Sequence, residues 1–257
     1  MSKIKICGLR RLEDAFIVNE GQPDFAGFIL TPSKRQVTIV QAEAISKVLS
    51  PSIARVGVFA KETPGEIAEA AIMLELDGIQ LHFDTTPGFL DELKNLLSRF
   101  RFRQTPFLWQ RIPVSAAAVP GSDNGSDNGS NNGSNNGLDT GSGPGPASGV
   151  DLSVRLASFA DLSLFDGLLL DTFHDGQDGG TGKTFPWQPA MDFIVNNRLD
   201  ASRIIVAGGL TVENVAGAIS FFNPFAVDVS SGVETNGYKD REKVLRFLET
   251  ARKAQVQ

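Results

Sequence analysis

The chain has 257 residues, 41% hydrophobic and 21% charged, with a formal net charge of −6 and a pI near 5.0. This is the composition of a globular protein able to bury a substantial core, and no block of Lys and Arg suggests a polyanion-binding surface, although a local phosphate site stays open. One cysteine excludes an intramolecular disulfide and any multi-thiolate metal site, and two histidines leave little for a zinc centre.

The amino terminus, Met1-Ser2-Lys3-Ile4-Lys5-Ile6-Cys7, enters an apolar alternation without the long hydrophobic region of a signal peptide. No run reaches the roughly 20 apolar residues of a membrane span. The expected compartment is therefore the reducing cytoplasm.

Strand-like runs then recur along the chain: Lys3–Cys7, Phe25–Leu30, Ala54–Phe59, Gly78–His82, Phe107–Ile112, Gly167–Asp171, Arg203–Ala207 and Ala226–Val229. Most are nearly continuous in apolar residues, as in a parallel sheet covered on both faces. Helical stripes lie between them. Thr38-Ile39-Val40-Gln41 has the form of a capping box, followed by Ala42, Ile45, Val48 and Leu49 on one face. Thr63-Pro64-Gly65-Glu66 supplies a cap and a proline in the first turn. Phe89, Leu90, Leu93, Leu96, Leu97 and Phe100 form the next stripe. Thr211 is the expected cap of a helix carrying Val212, Val215, Ala218, Ile219 and Phe222, and Val244, Phe247, Leu248 and Ala251 mark the last helix.

Residues 115–149 interrupt this rhythm with repeated Ser-Asp-Asn-Gly and Ser-Asn-Asn-Gly units. Such a segment has almost nothing to bury against its ordering entropy, and it is expected to be a disordered insertion after the fifth strand. A weaker pattern, Val154, Leu156, Phe159 and Leu162, would supply the fifth helix. Without the insertion about 220 residues remain, the usual size for a (β/α)8 barrel. The expected architecture is a single α/β domain, 1–257, a TIM barrel. No dinucleotide fingerprint follows the first strand, which disfavours the open doubly wound alternative.

In such a barrel, chemistry sits where strands end. Here the strands end in Cys7-Gly8, Gln80-Leu81-His82, Asp171-Thr172, Gly208-Gly209 and Ser230-Ser231-Gly232, and Ser33-Lys34-Arg35 follows the second. Gly179-Gly180-Thr181-Gly182 follows the sixth. Glycines in the loops after strands six, seven and eight let backbone N–H groups converge on a phosphate. Cys7 reads either as a small buried hydrophobe or as a reactive thiol, Asp171 as a functional acid or a capping group, and His82 as a ligand donor or a packed imidazole.

Lys5-Ile6-Cys7-Gly8-Leu9, Ser33-Lys34-Arg35-Gln36-Val37, Val56-Gly57-Val58-Phe59, Gln80-Leu81-His82, Leu169-Leu170-Asp171-Thr172, Gly179-Gly180-Thr181-Gly182, Ala207-Gly208-Gly209-Leu210 and Asp228-Val229-Ser230-Ser231-Gly232-Val233-Glu234 occur in that order. Together they resemble the phosphoribosylanthranilate isomerase family of tryptophan biosynthesis. The resemblance implies an Amadori rearrangement of N-(5′-phosphoribosyl)anthranilate without cofactor or metal, in an enzyme that binds neither nucleic acid nor membrane and is a monomer or homodimer. It implies Asp171 as general acid and Cys7 as general base. Arg35 would hold the anthranilate end, His82 would line the pocket, and Gly180, Gly182, Gly208, Gly209, Ser231 and Gly232 would grip the phosphate. Two departures stand out: Phe83 where the family usually has glycine, and the long insertion.

Two alternatives remain open at this point. One is another phosphosugar enzyme on the same barrel, a histidine-pathway isomerase or an indoleglycerol-phosphate synthase. The former uses paired aspartates, and no lysine ends a strand where the latter needs one. The other is a barrel that binds phosphoribosyl ligands without turning them over.

Overall fold

Alternation along the first strand, β1 (Lys3–Cys7), sets the plan of the molecule. Ile4 and Ile6 pack among helix residues such as Val18 and Phe247, while Lys5 and Cys7 turn to the opposite face. The structure, a computed structural model, describes residues 1–115, 162–173 and 187–254. Seven further strands follow: β2 (Phe25–Ile29), β3 (Ala54–Phe59), β4 (Gly78–Leu81), β5 (Phe107–Ser115), β6 (Gly167–Phe173), β7 (Ile204–Ala207) and β8 (Ala226–Val229). Neighbours pair in chain order, and β8 pairs in parallel with β1 through Lys3↔Ala226 and Lys5↔Asp228. The result is the closed eight-stranded barrel expected from the sequence.

Helices α1 (Leu12–Gly21), α2 (Ile39–Val48), α3 (Pro64–Met73), α4 (Pro87–Ser98), α5 (Trp187–Asn196), α6 (Val215–Phe222) and α7 (Arg241–Lys253) accompany the strands. Two capping boxes hold as expected. Gln41 N donates to Thr38 Oγ1 at 3.2 Å while Thr38 N donates to Gln41 Oε1 at 2.9 Å, and Thr63 and Glu66 repeat the exchange.

Several boundaries differ from expectation. β5 continues through Ser115, because its pairing with β6 runs on to Ser115↔Phe173, so the first residue assigned to the insertion belongs to a strand. Residues 116–149 of that insertion lie outside the described residues, as does the expected fifth helix apart from Leu162, which opens a short 3-10 turn. Thr211 does not cap α6. Its hydroxyl accepts from Glu213 N within a turn, and the helix begins only after Asn214. Phe100 lies beyond the end of α4 and is exposed rather than part of the apolar stripe.

Two apolar layers result. The larger lies between strands and helices; the smaller fills the barrel with Phe25, Val56, Trp109, Leu169, Ile205, Ala207 and Ala226. Aromatic rings make much of the inner packing. Phe107 stacks on Trp109 at 4.8 Å between centroids, and Phe25 meets both edge-on. The Lys5 ammonium lies 6.0 Å from the Trp109 ring centroid.

Gly27, the register partner of Cys7, makes space for this arrangement. A β-carbon there would come within 2.7 Å of Cys7 Sγ and 3.1 Å of Lys5 Cε. Gly27→Ala is therefore expected to destabilise the fold by about 1–3 kcal/mol through overpacking, read from urea unfolding midpoints. A midpoint equal to that of the parent protein would mean that the thiol and the lysine stem are not confined there.

Candidate active site

Lys5 has no exposed surface. Its ammonium donates to Asp228 Oδ2 and to Gln80 Oε1, each at 2.8 Å. Burial works against the charge on Lys5, but Asp228 and then Cys7 outweigh it, and the group titrates above the ordinary lysine value. Because Gln80 spends its carbonyl oxygen on Lys5, its amide nitrogen is left to face His82 Nε2. An amide N–H₂ only donates, so Nε2 accepts and the ring proton is assigned to Nδ1. Thus β8, β1 and β4 are tied by one chain of hydrogen bonds, Asp228 to Lys5 to Gln80 to His82.

Cys7 ends β1 next to this chain. Burial is the largest influence on its thiol and raises its pKa; Lys5 and Lys239 pull it down, and Asp228 pushes it up. The net direction is upward, which favours the thiol over the thiolate. Asp171 sits in β6, partly buried. Burial raises its pKa, against the pull of Arg111, whose Nε lies 3.0 Å from Asp171 Oδ2. Cys7 is the last residue of β1 and Asp171 is level with Ala207, the last residue of β7, and the charges of Lys5 and Asp228 reach both groups.

His82 is pushed down to a pKa of about 3, first by burial and then by the charges of Arg111 and Lys5. It is neutral at physiological pH. Its turn forms without glycine: Phe83 packs edge-on against Phe89 of α4 at 5.1 Å, and the Phe83 carbonyl accepts from Gln110 Nε2 at 2.9 Å. His82 N also donates to Phe59 O at 2.8 Å, holding the residue at the end of β4.

Arg35 lies in the loop after β2. Its Nε donates to Glu234 at 2.9 and 3.1 Å and its Nη2 at 3.1 Å, a forked contact that fixes the plane of the guanidinium. Glu234 also accepts from Lys239 Nζ at 2.8 Å, and the same ammonium donates to Ser230 O at 3.0 Å. Burial alone would raise the Glu234 pKa, yet Arg35 and Lys239 hold it below the usual carboxylate value. Glu234 thereby joins the loop after β2 to the loop after β8.

The loops after β7 and β8 come together as expected. Gly209, Ser231 and Gly232 line a cavity of about 420 Å³ with Thr211, Lys243 and Arg246. Gly208 and Gly209 have φ of 79° and 65°, the left-handed region that favours glycine. Gly232 is pressed against the β7 loop so closely that a β-carbon would collide with the Leu210 carbonyl oxygen. Gly180 and Gly182 lie outside the described residues.

Sequence reasoning assigned no part to Lys5, Gln80, Arg111, Asp228, Glu234 or Lys239. Lys5, Gln80, Asp228 and Glu234 stood within the motifs of the family resemblance without a role, and the inward parity of Lys5 and Arg111 on their strands offered a further signal. Among the described residues, no group of three or more His, Cys, Asp and Glu is arranged to hold a metal ion, and no helix is long and apolar enough to cross a membrane.

The low His82 pKa has a consequence for acid stability. Below the unfolded value near 6.5, the unfolded chain takes up a proton that the folded chain refuses until about pH 3. Stability therefore falls as pH drops through that window. Melting temperatures recorded from pH 7 to 4 are expected to fall more steeply for the parent protein than for His82→Asn; equal slopes would contradict a neutral, desolvated ring.

Comparison with known proteins agrees with this geometry. A family model described as N-(5′-phosphoribosyl)anthranilate (PRA) isomerase matches residues 4–105 and 146–250. The chain is 36% identical over 254 residues to the N-(5′-phosphoribosyl)anthranilate isomerase of Acetivibrio thermocellus, covering 99% of this chain and 97% of the relative. It is similar to the crystal structure of monomers generated from the dimeric enzyme of Thermotoga maritima, with 28% identity and a TM-score of 0.66 over 98% of this chain and 100% of that one. A solved complex of phosphoribosyl anthranilate isomerase with reduced 1-(o-carboxyphenylamino)-1-deoxyribulose 5-phosphate gives 27% identity and a TM-score of 0.65, with the same coverage. The chain belongs to the phosphoribosylanthranilate isomerase family.

Proposed function

We propose that the barrel mouth converts N-(5′-phosphoribosyl)anthranilate to 1-(2-carboxyphenylamino)-1-deoxy-D-ribulose 5-phosphate, with Asp171 as general acid and Cys7 as general base. The reaction belongs to tryptophan biosynthesis. The observation that supports this reading is that Cys7 closes β1 while Asp171 on β6 is level with the last residue of β7, both toward the carboxyl ends of their strands.

The steps follow from the chemistry of the groups. Asp171 gives its proton to the sugar ring oxygen as the C1′–O bond breaks, and the nitrogen lone pair forms the C1′=N bond of a cationic Schiff base. Burial favours the protonated carboxyl that this step needs. The cation then favours the thiolate of Cys7, whose thiol proton passes to solvent, from which the Asp171 carboxylate regains a proton at the end of the cycle. Cys7 removes the C2′ proton, and the C–H electrons form the C1′=C2′ bond of an enolamine. In the closing tautomerisation C1′ gains a proton and the C2′ hydroxyl loses one, so no net proton is consumed.

Binding divides along the mouth. The loops after β7 and β8 take the phosphate, with Gly208, Gly209, Ser231 and Gly232 close to it and Gly180 and Gly182 assigned to the same end. Arg35, oriented by Glu234, faces the anthranilate carboxylate. His82 offers a neutral ring to the same pocket. Asp228 Oδ1 and Ser230 Oγ are buried without hydrogen-bond partners among the described residues, and sugar hydroxyls supply the partners they lack. The working compartment in this reading is the cytoplasm, where the thiol stays reduced. The state of assembly is a monomer or a homodimer, the latter as in the dimeric relative.

Cys7→Ala and Asp171→Asn are each expected to lower kcat by roughly 10²–10⁴-fold while binding of the reduced product analogue is kept, with turnover followed by loss of anthranilate fluorescence. Full turnover in either variant removes that residue from the mechanism. Gly232→Ala should instead raise KM and weaken competition by inorganic phosphate; an unchanged KM would place the phosphate elsewhere.

A further inference from the structure

Arg111 occupies a position that the reaction described above does not use. It lies on β5, two residues before Pro113, the register partner of Asp171 on β6. Its Nε donates to Asp171 Oδ2 at 3.0 Å, and the two side chains are 18% and 26% exposed, open enough to the mouth for a substrate to reach the carboxyl. It also falls in residues 106–145, between the two stretches that the family model matches.

A guanidinium carries donors only, so an oxygen bonded to it must accept. A carbonyl oxygen accepts more strongly than a hydroxyl oxygen, so the contact at Oδ2 favours the proton of a protonated Asp171 on Oδ1. We propose that Arg111 is a positioning residue for ring opening: by holding Oδ2 it fixes Oδ1 as the oxygen that delivers the proton to the sugar ring. This rests on Asp171 being the acid. Without the contact, the carboxyl rotates about its last torsion, and the proton is shared between two oxygens of which only one is aimed.

The same contact sets a pH limit. Among the described residues, the charged groups that act on Asp171 are Arg111 on β5, Lys5 on β1 and Asp228 on β8, while β7 pairs Ala207 with it. Arg111 is the strongest of the influences that favour the carboxylate. Its charge makes the acid lose its proton at lower pH than burial alone would allow. Removing the charge moves the alkaline limb of the kcat profile, where the acid form is lost, to higher pH.

The test is the kcat and KM profile from pH 5.5 to 9.5 for Arg111→Met, Arg111→Lys and Arg111→Gln. Arg111→Met is expected to lower the plateau of kcat about tenfold or more, move the alkaline limb to higher pH and leave KM within about threefold. Arg111→Lys keeps the charge but not the fork, so its limb should stay near the parental pH with part of the plateau regained. Should Arg111→Met fail to fold, Arg111→Gln carries the same expectation. An unchanged plateau and limb in the neutral variants would overturn the proposal, as would a KM raised tenfold at full kcat, which would make Arg111 a substrate anchor. Turnover by Asp171→Asn would instead defeat the underlying assignment of the acid, whatever the Arg111 variants do.

Discussion

A positive charge with no exposed surface governs the interior of this barrel. Lys5 lies among apolar and aromatic side chains, where an unpaired ammonium would cost several kcal/mol. That cost fixes its neighbours. Asp228 must face it from β8 and Gln80 from β4, and Gly27 must lack a side chain so that the lysine stem and the thiol can lie together. Once Gln80 is committed to Lys5, the orientation and tautomer of His82 follow. The chemistry at the mouth is arranged from beneath.

Burial is the leading influence on three mouth groups, and each is driven toward its neutral form. It raises the Cys7 thiol and the Asp171 carboxyl and lowers His82. A mouth of neutral acid, neutral thiol and neutral imidazole suits a ligand that brings its own negative charges at both ends. Charge is kept in the ion pairs around the groups: Lys5 with Asp228, Arg111 with Asp171, and Glu234 with Arg35 and Lys239. Desolvation thus does more here than any single partner to raise the Asp171 carboxyl.

Much of the architecture was legible in the sequence because it is written in local periods. Continuous apolar strands, the Thr38 and Thr63 boxes and the glycine pair at 208–209 act within a few residues of themselves. The positions of Cys7 and Asp171 could be read for a similar reason: a barrel brings the carboxyl ends of its strands to one rim, although β6 runs two residues beyond Asp171. What escaped depends on closure. Glu234 finds Arg35 across 199 residues and Lys5 finds Asp228 across 223, and no window along the chain contains both partners. Arg111 was hidden differently: the parity of β5 turns it inward, but its partner Asp171 lies 60 residues on, beyond the insertion. Thr211 was misjudged because a threonine can close a turn as readily as start a helix.

The Lys5–Asp228 pair also has a temporal meaning. On a ribosome, the first strand emerges long before the eighth, and until residue 228 arrives the ammonium has no carboxylate to meet. A half-made barrel cannot bury that lysine cheaply, so a partial sheet has reason to stay loose and hydrated around its first strand. The closing β1–β8 seam then joins the most distant parts of the chain in a single event, the kind of long-range contact that slows folding and lengthens exposure of sticky edges. Nascent copies of this protein should therefore be most vulnerable to aggregation just before synthesis ends.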